Sequence, residues 1–259
     1  MGSQDDQKTL LPISRTHFGE AAKAAPGIPW LNKISRYQQL SQNISSCHNT
    51  TLLVVERMEF VLDKLGIVHD RDFAKKEKQI LNGILSDNTR QFEAAHTALG
   101  ELLGYEAGNR ESRGAPDPWW LVDESFCFIF EDHSGAKPES TLNIEKARQV
   151  GTHPNWVRDN LGTKPEADIL SVLITPVRKA DQEALPHLRH VYYWNLDEFR
   201  SWAKNALAVI RQLRRTFSEP GNLTWRDQAI EAYTSQTLCP QRLAEFLRQS
   251  PAAEVFRSS

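Results

Sequence analysis

The chain has 259 residues, 40% of them hydrophobic and 25% charged, with 31 Lys+Arg against 33 Asp+Glu and a formal net charge of -2. These values sit near the averages of globular proteins and exclude a disordered chain, a collagen-like repeat and a disulfide scaffold. They give no overall basic character, so a nucleic-acid partner would have to be met by a local basic surface.

Residues 1–28 are polar or small, and Pro12, Pro26 and Pro29 break any long helix. The start lacks the apolar core of a signal peptide, and no run approaches the roughly 20 apolar residues of a membrane helix. Cys47, Cys127 and Cys239 form no CxxC pair, so neither a zinc site nor a disulfide framework is expected. A soluble protein of the reducing cytoplasm fits this usage, with Cys127 a buried core thiol.

From Trp30 the pattern turns helical. Leu52, Val55, Met58, Leu62 and Leu65 recur near helical spacing and Gly66 is a stop; a second helix covers residues 73–85. Residues 1–85 are thus expected as an N-terminal helical region. A core is expected over residues 86–195. Ser86 or Asp87 can cap a helix with Phe92, Ala95, Leu99 and Leu102 on its apolar stripe, and Gly104 ends it. After a loop at residues 108–114, residues 119–122 and 125–131 read as two strands around an Asp123-Glu124 turn. The run Phe126-Cys127-Phe128-Ile129-Phe130 suits a strand covered on both faces. A short helix over residues 143–150, another opened by Pro154, and strands at 169–174 and 189–194 follow. This is an α/β pattern, a central mixed sheet with helices against it. Residues 196–259 are helical, beginning with a stripe of Phe199, Trp202, Ala206, Ile210 and Leu213, and are expected to pack on the core.

The chemistry lies in Pro116-Asp117, thirteen intervening residues, and Glu131-Asp132-His133. An acidic residue entering one hairpin strand and another leaving its partner can meet at one sheet end. Oxygen ligands of that kind suit Mg²⁺, with Mn²⁺ as a substitute, which could polarise a phosphodiester and lower the pKa of an attacking water. Ser134 has no Gly-x-Ser-x-Gly elbow, and the chain carries no Walker A or Gly-x-Gly-x-x-Gly motif.

This order of helix, Pro116-Asp117, hairpin, Glu131-x-His133, helix and strand resembles the PD-(D/E)xK, or restriction-endonuclease-like, nucleases. The resemblance covers roughly residues 87–195. It implies that Asp117 and Glu131 bind the metal, with Glu93 of the preceding helix as a further acidic ligand. It also implies that Arg148 or Gln149 of the following helix lies near the site. His133 stands where the family has Lys. A lysine supplies a fixed positive charge to the transition state, whereas a neutral imidazole offers a general base. Three readings stay open: a working Glu-x-His variant, a lysine moved to Lys137 or Lys146, or an inactive site, whether degenerate or disabled by substitution. Lys137, Lys146, Arg148, Gln149 and Arg158 are candidate DNA contacts, as are Arg211, Arg214 and Arg215 near one helix end. Trp225-Arg226 and the flanking helices are similar to the ends of bacterial helicase-associated defence proteins. The implied function is a Mg²⁺-dependent DNA endonuclease of anti-phage defence, using Asp117, Glu131 and His133. Its rival is an inactive DNA-binding or assembly subunit of a helicase or ATPase complex.

Overall fold

The computed structural model describes residues 46–66, 70–110 and 115–258, with scattered positions between 17 and 24. Pro12, Pro26, Pro29, Trp30 and positions 111–114 of the expected loop lie outside the described residues. The chain forms two compact units, residues 1–49 and 50–259. In the first, the described positions are helical and His17 pairs with Glu20 at 3.7 Å. The sheet and the candidate site belong to the second.

That unit is α/β. Its main sheet has five strands in the order β1 (Glu106–Gly108), β2 (Trp119–Asp123), β3 (Phe126–Asp132), β5 (Asp168–Thr175) and β7 (Val191–Asn195). The β1–β2 and β2–β3 pairs are antiparallel, while β3–β5 and β5–β7 are parallel. The fully buried β3 is the hinge between these two modes. Three strands of two residues, β4 (Thr141–Leu142), β6 (Lys179–Ala180) and β8 (Arg257–Ser258), make a separate parallel sheet. Neither the short β1 nor this small sheet carries enough alternating residues to be seen in the sequence.

Side-chain alternation along β3 builds two layers. Phe126, Phe128 and Phe130 join the large cluster on one face with Phe92, Trp120, Trp194 and Phe199. Cys127 and Ile129 pack on the other face with Val157. The first face is covered by α1 (Ser46–Lys64), α2 (Arg71–Ile84), α3 (Thr89–Leu102), α5 (Leu196–Thr216), α6 (Leu223–Ser235) and α7 (Pro240–Arg248). The opposite face carries α4 (Ile144–Asn160) and α8 (Ala252–Val255). The chain leaves α3 through Gly104, whose φ of 91° is left-handed; a Cβ there would stand 1.8 Å from the Val54 carbonyl oxygen.

Two local expectations are corrected. The cap of α3 is Asn88, whose side chain accepts from Gln91 N at 3.1 Å, and Ser86 instead donates to the Gln91 side chain. The second concerns Pro154, which does not start a new helix: α4 runs unbroken from Ile144 to Asn160. Proline has no N–H for the carbonyl four residues earlier, that of Val150. Ser171 on β5 donates its hydroxyl to that oxygen at 2.9 Å, so the interruption is satisfied from the sheet. Asn143 caps this helix by accepting from Lys146 N at 2.9 Å.

Candidate active site

The site is assembled at the C-terminal end of β3. Asp117 pairs with Glu131 as a one-residue parallel bridge, its N–H donating to the Phe130 carbonyl at 3.0 Å. The two acidic residues predicted to meet at one sheet end are therefore neighbours. Strand alternation then sends Glu131 toward α4 and Asp132 toward α3, each buried to within 2%.

Glu131 is gripped through both carboxylate oxygens from α4. The Lys146 ammonium contacts Oε1, and His153 Nε2 lies 2.5 Å from Oε2. Burial opposes its ionisation, but the His153 bond and the Lys146 charge outweigh burial and hold its pKa below the ordinary value. Asp132 has the opposite fate. Burial, and then the charges of Glu131 and Asp117, push its carboxyl well above the usual range. His96 Nδ1 stands 2.9 Å from Asp132 Oδ2, and burial drives this imidazole well below its ordinary pKa. The ring of His96 lies 4.6–4.9 Å from those of Phe130, Phe199 and Trp120.

Glu93 sits three residues before His96, on the same side of α3. It is half-buried, and its pKa is raised to about 7 by burial, then by Asp117 and Asp132, with Lys146 opposing. Negative charge is therefore crowded here: Glu93, Asp117, Glu131 and Asp132 share one electrostatic neighbourhood with one ammonium, Lys146. His133 follows at the strand's end, its N–H donating to the Ile174 carbonyl at 2.9 Å and its Nδ1 3.3 Å from Thr175 Oγ1. Burial first, and Lys146 second, hold its pKa below the ordinary value, so the ring is neutral near pH 7.

Beside the carboxylates opens a cavity of about 520 Å³ lined by His133, Lys137, Asn143, Lys146 and Gln149, among others. Of the residues predicted for the site, Glu93, Asp117, Glu131, His133 and Lys146 come together, and Lys137 and Gln149 line the adjoining cavity. Arg148 does not line it; its Nε reaches His187 Nε2 at 3.3 Å on the helix's exposed side. The three arginines of α5 divide as well. Arg211 is paired with Glu77 at 2.6 Å, and Arg214 is buried with its guanidinium on the Gly66 carbonyl; of the three, Arg215 and Arg211 keep exposed positions. Arg226 grips Glu56 and Glu59 and serves packing.

Three participants are not evident from sequence. Asp132 reads as a solvated strand end. His153, beside Pro154, reads as the cap of a following helix. Only His96 leaves a trace, as a polar residue on the buried stripe of Phe92, Ala95 and Leu99.

The donor chemistry fits a hard divalent cation: oxygen ligands, and two carboxyls whose raised pKa values a positive ion would relieve. As arranged, no three His, Cys, Asp or Glu side chains among the described residues are grouped to hold an ion, and both oxygens of Glu131 are engaged by Lys146 and His153. Among the described residues, no helix is long and apolar enough to cross a bilayer. Comparison of the chain with family models, curated proteins and solved structures gives no match.

Proposed function

We propose that this chain is a metal-dependent DNA endonuclease built on the restriction-endonuclease-like plan. The observation that carries the reading is the meeting of Asp117, Glu131 and Glu93 around Lys146 at one sheet end, beside an open polar cavity. Asp117 and Glu131, with Glu93, would hold Mg²⁺ or Mn²⁺, which when bound supplies Lewis-acid polarisation and neutralises charge at the phosphate. Lys146 brings from α4 the positive charge that His133 cannot bring from the strand, so the lysine of the motif has moved to the helix. His133, neutral and at the cavity wall, accepts a proton from the attacking water. Lys137 and Gln149 contact the DNA backbone, which fixes position without reading sequence. The resemblance that motivates this reading extends to a bacterial defence setting in the cytoplasm, with a helicase or ATPase as partner.

The test is a cleavage assay on supercoiled, linear and single-stranded DNA with RNA as control, in Mg²⁺ and in Mn²⁺. Metal-dependent cleavage lost in Asp117→Ala is the expected result; no cleavage of any substrate sinks it. A second reading is favoured by one observation, the engagement of both Glu131 oxygens. On that reading the chain is an inactive DNA-binding or assembly module, and His133→Lys creating activity where the wild type has none would establish it.

A further inference from the structure

Lys146 and His153 are seven residues apart on α4, two helical turns, and therefore face the same way. One helix thus holds both oxygens of one carboxylate. The two grips are unequal. Lys146 is partly exposed and borders the open cavity, whereas the His153 side chain is wholly buried and out of reach of any substrate. We propose that His153 is a positioning residue: it clamps Oε2 of Glu131 from the interior, so that Oε1 alone is presented to Lys146 and the acidic cluster. The proposal rests on Glu131 acting in phosphodiester hydrolysis.

The surroundings of α4 make the clamp rigid. Ala147 and Val150 pack in a cluster with Leu173 and Val191, and Val157 packs with Cys127 and Ile129. The Ser171 hydroxyl fastens the Val150 carbonyl, three residues before His153. At Gly151 the helix backbone runs so close to the His187 carbonyl that a Cβ would stand 2.9 Å from its oxygen. The helix can neither roll nor withdraw without losing these contacts, so the imidazole has one place to be. Hydrogen-bonded partners of this kind orient a ligating carboxylate and tune its basicity. Asp132 is held similarly by His96 on the other face, but that pair is enclosed by aromatic rings and does not line the cavity.

The experiment compares the wild type with His153→Leu and His153→Gln, the latter placing an amide N–H near the position of Nε2. Cleavage of supercoiled DNA in Mn²⁺ is measured as kcat and KM, with thermal melting as the folding control. His153→Leu should lose about 10–100-fold in kcat while KM holds, because the imidazole never meets the DNA. His153→Gln should recover most of that loss. Equal losses in two folded variants, or a loss confined to KM, overturn the proposal. Should the wild type cleave nothing, the hydrolytic reading fails by itself and the clamp is decided by ¹⁵N-imidazole NMR of the full chain. A slowly exchanging Nε2 proton on His153 that Glu131→Gln displaces supports the clamp; exchange as fast as that of the exposed His190 refutes it.

Discussion

Replacing Glu93 by Gln removes one carboxylate from the crowded end of the sheet while keeping its shape. In the folded chain this carboxyl titrates at about 7 against an ordinary 4.5, chiefly through burial and then through repulsion from Asp117 and Asp132. Because the folded value is the higher one, the contribution of Glu93 to stability is fully present below about pH 4.5 and is lost as the pH rises through about 7. At about 1.4 kcal/mol for each tenfold change in proton affinity, a rise of that size would be worth roughly 3 kcal/mol in a fully buried group. Glu93 is half-exposed, and solvent screening reduces this to about 1–2 kcal/mol. Urea unfolding of both proteins at about pH 4 and about pH 8.5 reads the effect directly. Near pH 4 the two should be about equally stable, since Glu93 is then largely protonated in both the folded and the unfolded chain; at the higher pH Glu93→Gln should be the more stable by about 1–2 kcal/mol. Taking the difference between proteins cancels the titrating groups that do not interact with Glu93. A difference that is the same at both pH values, or a variant no more stable at the higher one, would refute the argument that charge is crowded around Glu93.

Two further substitutions test the packing that frames the site. Ser171→Ala leaves the Val150 carbonyl without its donor inside the protein and should cost about 1–3 kcal/mol in chemical denaturation; an unchanged midpoint would show that the helix satisfies Pro154 in another way. Arg226→Met strands the fully buried Glu59 carboxylate, which the guanidinium grips at 2.6 and 2.8 Å, and should cost about 3–5 kcal/mol. Adding Glu59→Met should return much of that loss, and a double variant as weak as the single one would contradict the account.

Much of the sheet was written in local patterns. The aromatic run of β3 and the apolar runs of β5 and β7 announce strands because each is covered on both faces of the mixed sheet. The α5 stripe announces a helix for the parallel reason, one apolar face repeated at helical period. The failures come from partners distant in sequence. Whether Pro154 breaks α4 depends on a hydroxyl seventeen positions later in the numbering, at Ser171. Whether Asp132 is solvated depends on His96, and no spacing rule links the two. The same holds for the candidate site: Asp117 and Glu131 were readable as a pair because a hairpin joins them. Lys146 stood out as a basic residue after the motif and was a candidate for the motif's lysine only through the resemblance, and His153 was hidden by the proline beside it.

The opposed directions of Glu131 and Asp132 bear on how this chain can change length over time. Insertion or deletion of one residue within β3 would exchange the two faces, sending the carboxylate gripped by Lys146 and His153 into the aromatic box and the carboxyl held by His96 toward Lys146. Such changes are barred from the strand itself. The neighbouring β2 already absorbs an irregularity, since its pairing with β3 shifts between Leu121 and Asp123. Length variation in distant forms of this fold should therefore collect at that bulge and at the Glu124-Ser125 turn, leaving the seven residues of β3 constant in number.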